Sequence, residues 1–77
     1  MSKRLPRLTA AQIIRVLEKS GYSLARSSGS HHIYKNSDGK RVTIPVHTSK
    51  ILHPKILLNI LACMDMTIEE LKTFLGR

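Results

Sequence analysis

Cysteine, aromatic residues and long apolar runs are scarce in this chain. Cys63 is its single cysteine, which excludes an internal disulfide framework and fits a reducing compartment. One phenylalanine, two tyrosines and no tryptophan leave little surface for base stacking, which argues against a single-strand-binding protein built on aromatic platforms. The longest apolar stretch begins at Ile56, is interrupted by Asn59 and is far shorter than the roughly 20 residues that span a bilayer. With no visible signal peptide, the sequence predicts a soluble, cytoplasmic protein.

Acidic residues are also few. Five aspartates and glutamates face 13 lysines and arginines among 77 residues, which gives a formal net charge of +8 at pH 7. Such an excess favours an anionic partner, whether nucleic acid, an anionic membrane surface or an acidic protein. A chain of this length buries only about 60 to 65% of its unfolded surface, so it has room for a single domain with a modest core.

The N-terminal part of the chain divides at Thr9. Residues 1–8 are rich in basic side chains and have no apolar period, so we predict a flexible basic arm there, followed by one domain over residues 9–77. Thr9 and Gln12 form a capping-box pattern, and apolar residues follow at helical spacing. This pattern predicts a first helix from Ala10 to Lys19, with Gly21 as its stop.

Three strands and two further helices are expected after Gly21. Alternating residues and turn signals place the strands at 22–26, 31–35 and 41–46, joined as an antiparallel meander. Pro54 suits the first turn of a second helix, and a capping box at Thr67 predicts a third, short helix that begins at Ile68. The fold class is therefore α+β, in the order α-β-β-β-α(-α), with helices covering one face of a three-stranded antiparallel sheet.

The most informative stretch is Gly29-Ser30-His31-His32-Ile33-Tyr34, which begins the central strand. Together with Gly21-Tyr22 and the series from Asp38 to His47, it resembles the HicA family of toxins, the YcfA-like mRNA interferases. The similarity covers nearly the whole chain from about Leu8 onward. It implies a fold like a double-stranded-RNA-binding domain, an endoribonuclease that needs no metal, and neutralisation by a HicB-type antitoxin. In the family pattern, the catalytic histidine directly follows Gly-Ser, which is His31 here.

The chemistry of His31 agrees with that implication. RNA carries its own nucleophile, the 2′-hydroxyl, so cleavage needs a base, an acid and positive charge near the phosphate oxygens. An imidazole with an ordinary pKa of about 6.5 serves as base or acid near neutral pH. The alternative is a structural histidine that caps a strand or is satisfied by the core. The corresponding alternative function is an RNA-binding module of the same fold that does not cleave.

Strand register decides which way His31 points. An even-numbered loop around Asp38 and Gly39 would place His31 on the helix-covered face with Val42 and Ile44. His31 would then reach RNA only at the open end of the sheet or through a bulge near Gly29. His32 would point to the opposite face with Arg41, as a polar sheet residue that contacts RNA rather than as a second catalytic group.

Other polar residues complete the predicted site. His47 follows the third strand and is either the missing proton-transfer group or an ordinary loop residue. Several basic side chains either bind phosphate or are simply exposed to solvent. The turn residues either bind phosphate or serve only to form the turn. The predicted RNA-binding residues are Ser28, Gly29, Ser30, His32, Lys35, Lys40, Arg41 and Lys50.

No metal or other cofactor is predicted. His31 and His32 point to opposite faces of a strand, and no cysteine or carboxylate spacing completes a tetrahedral set with the remaining histidines. Cys63 belongs to the apolar stripe of the second helix and is expected to be a small core residue. The predicted partners are an mRNA substrate and the antitoxin protein.

Overall fold

The computed structural model describes residues 5–46 and 50–76. It contains the predicted order of elements: α1 (Ala10–Lys19), β1 (Ser23–Ser28), β2 (His31–Lys35), β3 (Arg41–Pro45), α2 (Pro54–Met64) and α3 (Ile68–Leu75). The α+β prediction is thus confirmed, as are the bounds of α1 and β2. The first strand begins and ends later than predicted, because Tyr22 turns into the core and pairing continues to the Ser28 turn.

Local capping explains where the helices begin. The Thr9 hydroxyl accepts from the Gln12 N–H while the Gln12 side chain accepts from the Thr9 N–H, which completes the predicted capping box of α1. Thr67 and Glu70 form the same reciprocal pair at α3. Helix α2 begins at Pro54, and the ring of His53 accepts from the Lys55 N–H as its N-cap.

Residues 5–8 pack against the domain, although the sequence assigns them to the arm. Leu8 is fully buried, and its carbonyl accepts from the Leu52 N–H at 2.7 Å. Leu8 and Ile13 occupy the two positions of a hydrophobic staple around the Thr9 cap, and both are fully buried. Burial of an apolar side chain therefore draws the chain into the core before the predicted boundary. Residues 1–4 of the predicted arm lie outside the described residues.

The sheet is an antiparallel meander in the order β1-β2-β3, and the helices cover it unevenly. Helices α1 and α2 pack on β3, and α3 packs on α1. All six residues of β1 are exposed, including Leu24 at 52%. The core therefore lies between β3, the adjoining part of β2 and the helices. Its strand and helix residues with the lowest exposure are Ile13, Leu17, Ile44, Leu57, Leu71, Val16 and Val42.

Candidate functional site

A tight turn places His31 at the start of the central strand. Ser28 pairs with His31 across β1 and β2, so the hairpin has only Gly29 and Ser30 as loop residues. Gly29 has φ +57°, and a positive φ at the first of two loop residues is typical of a type II′ turn. The Gly-Ser pair therefore sets the register of β1 with β2 and makes His31 the first residue of β2.

His31 lies on the face of the sheet opposite the helices, so the expected face was wrong. In the observed register His31 pairs with Pro45, whereas His32 pairs with Ile44 and Tyr34 with Val42. Odd positions of β2 thus share a face with odd positions of β3, and the exposed His31 needs no bulge to reach solvent. A β-bulge does occur in the sheet, but between Leu24 and Arg26 on β1.

The loop between β2 and β3 explains the reversed register. Pairing continues beyond β2 to Asn36, whose N–H donates to the Lys40 carbonyl, so three residues remain in the loop. Gly39 takes φ +85° at the end of this loop, which fits a three-residue hairpin with a glycine in the left-handed region. The Asn36 side chain accepts from the N–H groups of Asp38 and Lys40 and fixes this shape. An odd loop length, rather than an even one, moves every side chain to the other face.

His32 lies on the face opposite His31, and its predicted contact with RNA stays a prediction. It is half-buried on the helix-covered side, next to the positions of Val42 and Ile44 in the sheet. Tyr34 lies on the same side and is buried. Burial raises the pKa of the Tyr34 phenol, and the negative charge of Glu18 raises it further, so this phenol is a poor proton donor near neutral pH.

The open face of the sheet is cationic. Arg26, Lys35 and Arg41 share it with His31, and all four side chains are exposed. The three strands contain no aspartate or glutamate. Their positive charges are therefore not neutralised within the sheet, and the face as a whole suits a polyanion.

Lys40 differs from these residues because its charge is already paired. Its Nζ donates to Asp65 Oδ2 at 2.7 Å, and Asp65 caps the C-terminal end of α2 with φ 55°. The hydrogen bond to Asp65 raises the pKa of Lys40, and the same bond lowers the pKa of Asp65. Lys40 therefore connects the β2–β3 loop to the end of α2 through this hydrogen bond.

The remaining predicted residues belong either to the β1–β2 turn or to the segment that follows β3 in the sequence. Ser28, Gly29 and Ser30 are exposed around the turn, beside His31. Lys50 is also exposed and lines a recess that includes Pro45, the strand partner of His31. His47 lies outside the described residues, so its distance from His31 stays a prediction.

A groove of about 440 Å³ beside His31 contains residues that the sequence did not single out. It runs between β3 and α2, and Asn59 and Cys63 of α2 line it together with Thr43 of β3. Cys63 is exposed rather than a core residue, because it lies on the face of α2 that turns away from the core. The one sequence signal for this groove is Asn59, a polar residue inside the longest apolar run.

Metal-ligand clusters and helices able to span a membrane are both absent from the described residues. No group of three or more histidine, cysteine, aspartate or glutamate side chains lies close enough to hold a metal ion within residues 5–46 and 50–76. Across the same residues, none of the helices combines the length and the apolarity that a membrane crossing needs.

Comparison with known proteins identifies the family. Residues 10–66 match the family model described as the HicA toxin of bacterial toxin-antitoxin systems, whereas no curated protein matches the chain significantly. The matched range contains the entire sheet, the His31 hairpin and α2. Because the match covers well over half of the chain, this protein belongs to the HicA toxin family.

Proposed function

We propose that this toxin is an endoribonuclease that cleaves mRNA without a metal ion and that His31 is its catalytic residue. The observation that carries the proposal is an exposed imidazole on a sheet face that has three cationic side chains and no acidic one. Family membership supports a toxin, and the geometry of the face supports a polyanionic target.

The chemistry needs little beyond what this face offers. The 2′-oxygen of the RNA forms a bond to the adjacent phosphorus, and the bond from phosphorus to the 5′-oxygen breaks, which leaves a 2′,3′-cyclic phosphate and a 5′-hydroxyl. A proton leaves the 2′-hydroxyl and another reaches the 5′-oxygen. His31 performs one of these transfers, a contribution of typically about 100- to 10,000-fold. Arg41 and its cationic neighbours stabilise the negative charge that develops on the phosphate oxygens.

The second proton-transfer group is assigned to His47 on sequence grounds. His47 follows β3, and the end of β3 lies beside the start of β2 because Pro45 pairs with His31. A His47→Ala variant should therefore retain RNA affinity and lose most of its cleavage rate, which is also the result expected for His31→Ala.

An mRNA cleavage assay with a matched histidine control tests the proposal. Wild type, His31→Ala and His32→Ala are incubated with a long mRNA in excess EDTA, and circular dichroism verifies that each is folded. His31 is exposed and has no side-chain hydrogen bond among the described residues, so its removal should leave folding and most RNA affinity intact. His32 is its neighbour in sequence but lies on the opposite face.

The expected result is cleavage by wild type and by His32→Ala, with cyclic-phosphate ends, and none by His31→Ala. If folded wild type binds RNA without cutting it, the protein is a binding module of the same fold. If only His32→Ala loses activity, the assignment of His31 is wrong.

We further propose that a HicB-type antitoxin neutralises the toxin by covering the cationic face. The uniform charge of that face favours an acidic partner, and electrostatic pairing of this kind speeds association at low salt. Titration of the purified antitoxin into the mRNA assay should stop cleavage when there is one antitoxin binding site for each toxin molecule. Charge reversal by Arg41→Glu should weaken the complex if the antitoxin docks there.

A further inference from the structure

The groove between β3 and α2 has the size and polarity of a small-ligand site. Its volume of about 440 Å³ falls within the roughly 300–1,000 Å³ range of such sites. Apolar side chains of Ile56 and Ile60 contribute to its lining, and Asn59 and Thr43 add polar groups. His31 and Arg41 also line it, and none of the acidic residues in the described part of the chain does. The groove is therefore continuous with the proposed catalytic face and shares its positive charge.

The edge of β3 adds backbone groups to this groove. Val46 N–H donates to the Ser30 carbonyl and Asn36 N–H donates to the Lys40 carbonyl, so even-numbered residues of β3 form the hydrogen bonds to β2. By the alternation of an antiparallel ladder, the N–H and C=O of Thr43 point to the free edge. Thr43 thus offers one donor and one acceptor beside the Asn59 amide, which carries both as well.

A nucleobase fits this combination of surfaces. An unstacked base has apolar faces and an edge of donors and acceptors, and sequence-specific proteins bind such bases in single-stranded RNA through side-chain amides and arginine planes. A peptide strand fits less well, because Pro45 has no N–H and α2 packs against the same strand, which leaves little edge for a continuous ladder.

We propose that this groove holds one unstacked base of single-stranded RNA next to the phosphodiester at His31, and that Asn59 and Thr43 read the edge of that base. This inference rests on the proposed function, since it names the substrate feature that the same site recognises. A base-binding groove makes the toxin selective for single-stranded RNA and gives it a base preference at the nucleotide that enters the groove.

The single cysteine of the chain gives a direct probe of the groove. Cys63 is exposed and lines it, so iodoacetamide should alkylate wild type at this position alone. A short single-stranded 2′-O-methyl oligoribonucleotide of mixed sequence lacks the attacking hydroxyl and cannot be cleaved. At saturation it should slow alkylation of Cys63 severalfold, whereas the same sequence in a duplex should not. A Cys63→Ser variant reports any background labelling.

A second measurement tests the base preference. Asn59→Ala should keep its fold, since Asn59 is exposed on a helix and alanine favours helices. Mapping of cleavage ends across an mRNA should show the preference for the best base reduced about tenfold or more, which is the discrimination that one good side-chain-to-base pair supplies. Leu58→Ala is the matched control, because Leu58 is the exposed neighbour on α2 and does not line the groove.

The outcomes separate this inference from the proposed function. Protection of Cys63 by the single strand supports base binding even if the toxin proves not to cleave RNA. If the toxin cleaves RNA but the oligonucleotide does not protect Cys63, the groove does not bind a base and the proposed nuclease function is unaffected. Identical site preferences in Asn59→Ala and wild type lead to the same conclusion. If an acidic antitoxin protects Cys63 and RNA does not, the groove binds a protein, and the proposal of base binding is wrong.

Discussion

At the scale of single residues, the site depends on backbone conformation as much as on side-chain chemistry. Gly29 and Ser30 close the hairpin that begins at His31, and only Gly29 of the two has a positive φ. A β-carbon on Gly29 would meet no atom within 4 Å, so space does not require glycine there. What requires it is φ +57°, a region that L-residues with side chains rarely adopt.

Gly29→Ala should therefore destabilise the protein through strain alone. Left-handed backbone costs a residue with a β-carbon about 1–2 kcal/mol, and in a domain of this size each kcal/mol lowers Tm by roughly 4–8 °C. Thermal unfolding followed by circular dichroism measures this. Ser30→Ala changes the other turn residue, which has no positive φ, and should shift Tm little. Equal shifts in the two variants would contradict the argument.

At the scale of elements, the register of β3 divides the sheet into a core face and an open face. Val42 and Ile44 are buried, whereas Arg41 and Thr43, which alternate with them, are exposed. Because the period of a strand is two, this division holds only if the β2–β3 loop keeps its odd length. The loop therefore determines both the core and the position of His31.

Adjacent residues of β3 should consequently differ greatly in their effect on stability. Ile44→Ala removes a fully buried side chain and should cost about 2–5 kcal/mol. Thr43→Ala changes an exposed side chain and should cost less than about 1 kcal/mol. Urea unfolding of both variants gives the comparison. A larger loss for Thr43→Ala would mean that the opposite register is populated.

The ion pair between the loop and α2 predicts a pH-dependent difference. Asp65→Asn keeps a residue type that tolerates left-handed backbone but removes the charge paired with Lys40. Since the folded pKa of Asp65 is lowered, its contribution to stability is present above its unfolded pKa and is lost as the pH falls through the folded value. The Tm of Asp65→Asn should lie below that of wild type at pH 7, and the two should converge at acid pH. A constant difference would assign the effect to something other than this charge.

At the scale of the whole molecule, the net charge of +8 is distributed unevenly. The strands contain only basic charged residues, and the acidic residues of the chain lie in the helices, in the β2–β3 loop and at the end of α2. The side of the sheet away from the helices is therefore the surface where a polyanion meets least repulsion.

Binding of single-stranded RNA should weaken with salt, and the slope should depend on the open face. Each phosphate contact contributes about −0.7 to the slope of log K against log salt for single strands. Arg41→Ala should reduce the slope by about that amount, measured with the uncleavable oligonucleotide. Arg15→Ala removes the same charge from α1 and should leave the slope nearly unchanged. Equal slopes for the two variants would indicate binding by net charge alone.

The sequence by itself determined the elements and the residue types of the site. Caps at Thr9 and Thr67, proline at position 54 and glycine in the turns act within a few residues, so helix starts and hairpins could be predicted from the chain alone. The excess of basic residues indicated an anionic partner for the same reason, because composition needs no knowledge of packing. The Gly-Ser-His series indicated RNA only through its resemblance to the HicA family.

The tertiary structure alone decided which face His31 occupies and what surrounds it. Register depends on one hydrogen-bonded pair, Asn36 with Lys40, which makes the loop odd and reverses every side chain of the strand. The pairing of Lys40 with Asp65 joins residues 25 apart, and the groove brings α2 beside β3. Burial of Leu8 likewise follows from the core that other elements build. Of these, the Asn36–Lys40 pair is local, but the turn signal at Asp38-Gly39 is compatible with either an even or an odd loop. The others are contacts between distant parts of the chain, and no local pattern specifies them.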